Sequence, residues 1–161
     1  MNKFPFIILC AILFCQDCLG QENFASISQD TILIPIGTEI TIQVDTTNIN
    51  LKNFKILSQS IVEKPIELTR SYYLQNPKSK RKDVIELTFC YANIMQSKKV
   101  VLNTRHLFGD LLIFKARIKY KGSNEFVETS IVEELPYIIS TELWQSDIEI
   151  IELSNFKKIK N

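Results

Sequence analysis

The side chains with the most chemical reach are few. His106 is the only histidine, and the four cysteines are Cys10, Cys15, Cys18 and Cys90. A Cys90–His106 pair would supply a thiolate nucleophile and its base, which need not be neighbours in sequence. Cys90, however, lies in the run Leu87-Thr88-Phe89-Cys90-Tyr91, with no helix N-terminus or basic neighbour to lower its pKa, so it is expected as a small buried hydrophobe. No Gly-x-Ser-x-Gly elbow is present, and with four glycines the chain lacks a glycine-rich phosphate loop. One histidine excludes a multi-histidine metal site, and no Asp-x-Asp-x-Asp-Gly calcium loop occurs. The expectation is therefore a protein without catalytic residues, metal or cofactor.

Three surfaces carry weaker signals. Lys115, Arg117, Lys119 and Lys121 alternate along one segment. On a strand they would stand about 6.7 Å apart, a ladder able to track an anionic polymer or simply to keep a sheet face soluble. A second basic run, Lys78-Ser79-Lys80-Arg81-Lys82, contains no aromatic for base stacking and reads as a solvated loop. Carboxylates collect late in the chain at Glu133, Glu134, Glu142, Asp147, Glu149 and Glu152. Glu149 with Asp147 or Glu152 would serve glycoside cleavage if held about 5 to 9 Å apart, whereas scattered solvent-facing acids would not. Trp144, the sole tryptophan, and Tyr137 would form a sugar-stacking platform or an interface anchor, or Trp144 would plug one end of a core. The candidate partner surface is thus Lys115, Arg117, Lys119, Trp144 and Tyr137.

The elements that must position these residues are strands. Ile40, Ile42 and Val44 alternate with Thr41 and Gln43, and Ile85, Leu87, Phe89 and Tyr91 alternate with Glu86, Thr88 and Cys90. Further strands are expected at 31–34, 54–58, 66–73, 99–103, 137–143 and 148–153, separated by turns such as Pro35-Ile36-Gly37 and Gln75-Asn76-Pro77-Lys78. The segment Leu111 to Ile131 reads as a hairpin turning at Gly122-Ser123. That register pairs Ile118 with Val127, Arg117 with Glu128 and Phe114 with Ile131, and a slip of one residue would set charge against apolar side chains. Short strands at this spacing point to an all-β, antiparallel two-sheet sandwich, immunoglobulin-like in general architecture but without the buried cysteine pair of antibody domains. The tail from Phe156 to Asn161 is expected to fray.

The first twenty residues form an address. Lys3 precedes the uncharged run from Phe4 to Cys15, and Cys18-Leu19-Gly20 offers small residues for a cut before Gln21. Residues 1–20 are read as a secretory signal peptide and 21–161 as one β-sandwich domain. The expected location is secreted or periplasmic. Leu9, Phe14 and Asp17 stand before the early cysteines, which disfavours lipid anchoring, and no transmembrane segment is expected after cleavage. Only Cys90 then remains, so the domain must be held by its core. At 19 basic against 18 acidic residues the net charge is +1, which excludes binding by bulk charge and makes nucleic acid an unexpected partner. The functional expectation is a non-catalytic binding or interaction module whose partner is a protein or surface glycan of the cell envelope. The alternative is a carbohydrate-binding or glycoside-cleaving protein using Trp144 and the late carboxylates. A structural subunit that adds a strand to an open edge is the third reading.

Overall fold

A computed structural model describes residues 24–95 and 97–160, so the expected signal peptide lies outside the described residues. In chain order the elements are β1 (Ser26–Ser28), β2 (Thr31–Pro35), β3 (Thr38–Asp45), β4 (Lys52–Ile61), β5 (Ile66–Glu67), α1 (Arg70–Tyr73), β6 (Val84–Ile94), β7 (Ser97–His106), β8 (Leu111–Tyr120), β9 (Phe126–Thr129), β10 (Ser140–Trp144) and β11 (Ile148–Ile159). The first sheet runs β1-β2-β11-β8-β9 and the second β10-β7-β6-β3-β4, with β5 beside β6. All neighbours are antiparallel except β5 with β6. The two sheets pack face to face, as the period-two patterns require. Ile32, Ile34, Ile151 and Leu153 of one sheet share a core with Ile40, Ile42, Leu87 and Phe89 of the other.

The β8–β9 hairpin has the expected register, with Ile118 opposite Val127 and Arg117 opposite Glu128. Gly122 turns it at φ 81°, a left-handed conformation that costs glycine little. The expected extension to Phe114 and Ile131 does not form. β9 ends at Thr129, and β8 next meets the chain at Leu112 opposite Glu134, one residue out of the hairpin's register. The chain has peeled away there to cross to the second sheet, where the Tyr137 amide donates to the His106 carbonyl at 2.9 Å.

The strands expected at 54–58 and 99–103 are longer, running Lys52–Ile61 and Ser97–His106, and three expected segments differ more deeply. The strand expected over 66–73 is two residues of β5 followed by the turn of helix α1, where the Thr69 hydroxyl accepts from the Tyr72 amide. The strand expected over 137–143 starts only at Ser140, because Tyr137 takes φ 70° and breaks the extended run. The tail is not frayed: β11 continues to Ile159, and Phe156 is buried between Phe54 and Phe114, each ring centroid 5.0 Å away. Asn155 at φ 55° makes a bulge that swings Phe156 inward, and the bulge hides the strand's period among lysines. Leu51 and Lys158 amides donate to Phe156 and Ile49 carbonyls at 2.9 and 2.8 Å and tie the end down.

The Phe156→Ala substitution is therefore expected to lower unfolding free energy by about 3 to 5 kcal/mol, as truncation of a buried aromatic does. Urea unfolding followed by tryptophan fluorescence measures it. A loss below about 1 kcal/mol, within the range of surface substitutions, would return the segment to a frayed tail.

Candidate functional site

Along β6 and β7 the second sheet is buried on both faces. Along β6, Ile85, Leu87 and Phe89 face the main core, while Cys90 and Ala92 join Val101 of β7 in a separate apolar cluster on the outer face. Something must cover that outer face, and the connection from β4 to β6 does so. Val62, Ile66 and Leu68 pack onto the cluster, and β5 docks parallel to Ala92 and Asn93. The Asn93 side-chain amide donates to Glu67 at 2.7 Å and fixes that strap.

Where the strap lifts from the sheet it leaves a cleft of about 190 Å³, lined by Tyr72, Glu39, Glu86, Asn103, Arg105 and Ile139 among others. Its polar groups are prearranged. Asn103 donates from Nδ2 to the Tyr72 hydroxyl at 2.9 Å and accepts at Oδ1 from Thr141 at 2.6 Å. The Tyr73 hydroxyl lies 3.2 Å from the same Thr141 oxygen, so the strap is tied to both β7 and β10. Arg105 donates from Nη1 to the Gln75 carbonyl at 2.7 Å, and Glu86 accepts from the Ser79 amide at 2.9 Å. Arg105 Nε stands 3.2 Å from Glu86, within ion-pairing distance but at an angle that is not a hydrogen bond. Nε is sealed from solvent beside Glu86, and the side chain lines the cleft wall.

The two nucleophilic side chains nearest the cleft are held protonated. Burial, reinforced by the Glu39 carboxylate, pushes the Cys90 thiol up to about 12, and burial pushes the Tyr72 phenol up to about 12 as well. Both groups are neutral at ordinary pH. Cys90 and His106 also lie on opposite faces of the sheet: Ile85 of the main core stands opposite His106, and Cys90 stands opposite Val101 of the outer cluster. The conceivable dyad is not assembled.

The other expected site residues fall elsewhere. Arg117 donates through Nε and Nη2 to both Glu152 oxygens at 2.8 Å, and Lys119 lies 3.6 Å from Glu149. The basic ladder and two of the late carboxylates thus occupy adjacent strands β8 and β11 and pair with each other, while Lys115 has no ion pair among the described residues. Trp144 packs against the main core at the β9/β10 side, donates from Nε1 to Thr129 at 3.0 Å and meets Phe89 edge to face at 6.4 Å. Tyr137 is 59% exposed and its hydroxyl lies beside Gly109. Lys78 pairs with Glu39 of β3, and Arg81 pairs with Asp83 just before β6. Of the residues that line the cleft, Lys78 belonged to the basic run read as a solvated loop, and the others were not singled out by type or spacing. Their one sequence signal is the polar run Asn103-Thr104-Arg105-His106 directly after Val100-Val101-Leu102 in the same strand.

One late carboxylate is unusual. Glu134 is 1% exposed, sits opposite buried Leu112 so that its side chain shares the core-facing side, and has no hydrogen-bond partner at either oxygen. Burial pushes its carboxyl up to about 7, and the Glu142 carboxylate adds to the shift. His106 Nε2 lies 3.2 Å from the Glu134 carbonyl, and burial depresses the imidazole pKa.

No family model, curated protein or solved structure matches this chain. What the fold and the cleft define is a class: a two-sheet all-β domain with a strapped outer face and a small prearranged cleft beneath the strap.

The Glu134 shift has a definite pH consequence. Below about pH 4.5 the carboxyl is protonated folded and unfolded and contributes no pH dependence; between 4.5 and about 7 the unfolded chain ionises first, so folding loses up to about 3 kcal/mol. Glu134→Gln removes that loss. Urea unfolding is expected to move in favour of the variant by up to about 3 kcal/mol between pH 4.5 and 8.5. His106 acts with the opposite sign, its depressed pKa costing stability as pH falls, and it cancels in the comparison. A difference between the two proteins that stays constant with pH would show that Glu134 is not held in an apolar site.

Proposed function

We propose that this protein is an exported, non-catalytic binding module, immunoglobulin-like in general architecture, that acts in the periplasm or at the cell exterior and holds a protein partner of the cell envelope. The observation that carries the reading is the cleft together with its rim. Tyr73, Leu74, Ile138 and Leu143 are 40%, 71%, 49% and 44% exposed. Tyr73 bonds to Thr141 beside the cleft, Ile138 precedes the lining residue Ile139, and Leu143 stands opposite Val101 on the same outer face. Large apolar side chains gathered around a depression mark an interaction surface more often than chance exposure does.

The size of the cleft selects the occupant. At about 190 Å³ it falls below the roughly 300 to 1,000 Å³ typical of small-molecule sites, so it suits a single bulky side chain of a docked protein rather than a cofactor or oligosaccharide. Such an anchor would sit among Tyr72, Ile139 and Arg105, with the apolar rim excluding water around it. Trp144, whose indole already bonds Thr129, closes the sandwich edge in this reading and does not carry the ligand.

The test is capture from the native cell envelope with the mature domain carrying a photocrosslinker at Ile138. One partner in stoichiometric yield is expected, falling at least about tenfold with Leu74→Glu or Leu143→Glu, each worth 1.4 kcal/mol or more. Both positions are exposed, so the fold should persist. Capture that is indifferent to both substitutions would sink the proposal, as would glycan-array binding that survives them and disappears in Trp144→Ala.

A further inference from the structure

The crossing from β9 to β10 is built inside out. Between Ile131 and Ile139 it exposes Val132, Leu135, Tyr137 and Ile138, and the one residue it buries is Glu134. An apolar side chain is the ordinary anchor at such a point, because a carboxyl taken out of water needs partners to offset its lost hydration. Neither oxygen of Glu134 has one. The Thr104 hydroxyl, on the core side of β7 like His106, is also buried and unpartnered, so it does not reach the carboxyl. No lysine or arginine pairs with Glu134 among the described residues. Of the elements packed against it, β7 brings His106, whose Nε2 lies 3.2 Å from the Glu134 carbonyl, and β10 brings Glu142. β8 brings uncharged Leu112, and Asp110 just before that strand is taken up by Lys158 at 3.4 Å. Burial keeps His106 neutral near pH 7, so no positive charge compensates an ionised Glu134. The remaining attachment is slight. Glu134 and Leu112 exchange backbone bonds of 2.8 and 3.0 Å, the Val132 amide donates to Glu142 Oε1 at 2.8 Å, and the Tyr137 amide donates to the His106 carbonyl at 2.9 Å.

We propose that the crossing is a proton-operated latch on the cleft: with the Glu134 carboxyl protonated it lies against the sandwich, and ionisation of that carboxyl releases it to solvent. Ile139 lines the cleft and Ile138 flanks it, so release dismantles that wall. The effect on binding rests on the reading of the cleft as a partner site, whereas the latch itself does not. Closed, the carboxyl titrates at about 7; open and hydrated, it returns to its ordinary 4.5. Opening is therefore favoured as pH rises between those values, by about tenfold per unit, and levels off above them. Charging of His106 would also loosen the crossing, but at the acid end, below its depressed pKa.

Amide hydrogen exchange followed by NMR from about pH 5 to 8, corrected for intrinsic rates, tests the latch without any partner. The opening constant of the Glu134 and Tyr137 amides is expected to rise roughly 50- to 100-fold over that range. At the alkaline end it should exceed that of the Leu87 and Phe89 amides in central β6 by at least about tenfold, since those open only with the whole molecule. Glu134→Gln should flatten the profile, and Glu134→Leu, which supplies an apolar anchor, should flatten it too. His106 is common to all three proteins and cancels. Crossing amides that exchange no faster than those of β6 overturn the proposal, as does a pH dependence that survives both substitutions. The expected profile together with failed envelope capture keeps the latch and removes only the partner reading.

Discussion

The ladder between β6 and β7, running from Ile85 opposite His106 to Ile94 opposite Ser97, is covered on both faces, and the rest of the molecule follows from that double burial. A sheet with one buried face needs only a second sheet. This one also carries Cys90, Ala92 and Val101 on its far side, an apolar patch that water would otherwise meet. The chain between β4 and β6 solves the problem by laying Val62, Ile66 and Leu68 over it, which removes the patch from solvent at roughly 25 cal/mol per Å². The strap is too short to cover the whole face. Where it runs out, the sheet presents Asn103, Arg105 and Glu86 instead of apolar residues, and the cleft is the space between these polar side chains and Tyr72.

Charge is organised by the same strand pairing. A net charge of +1 says little, and separate basic and acidic stretches in the sequence suggest two opposed patches. Strand order removes that separation, because β11 lies directly against β8 and sets Glu152 opposite Arg117. Exposed pairs of this kind add little to stability, but they set opposite charges side by side on the first sheet. The polar chemistry that remains available is in the cleft, where burial strengthens each interaction.

How much of this was legible in the sequence depends on which forces set each feature. The β8–β9 register was readable because alternation and charge complementarity both act between residues near in sequence, Arg117 with Glu128 and Ile118 with Val127. The two-sheet arrangement was readable because Ile40, Ile42, Leu87 and Phe89 alternate. The strap was not, since two strand residues and one helical turn have no periodicity of their own; they are set by tertiary contact with Val101 and Ala92. Phe156 was hidden by the Asn155 bulge, which shifts the inward face by one position. The cleft was hidden because its parts, from Glu39 to Thr141, come from five separate stretches of chain.

Glu134 shows what the sandwich pays where its two sheets are joined. The chain must cross from β9 to β10, and on the way its backbone is held at both ends: Glu134 exchanges two hydrogen bonds with Leu112 of the first sheet, and Tyr137 bonds to His106 of the second. Those bonds satisfy buried backbone groups that would otherwise cost more than a side chain does. They also fix which way residue 134 points, and the direction is inward. A carboxyl there is buried near Glu142 and keeps its proton well above the usual carboxylate range. Tyr137, forced to φ 70° by the same crossing, is turned outward and exposed next to Ile138 and the rim of the cleft. The connection that closes the sandwich is thus also what sets apolar side chains beside the cleft, and the strain of the closure and the shape of the surface have a single origin.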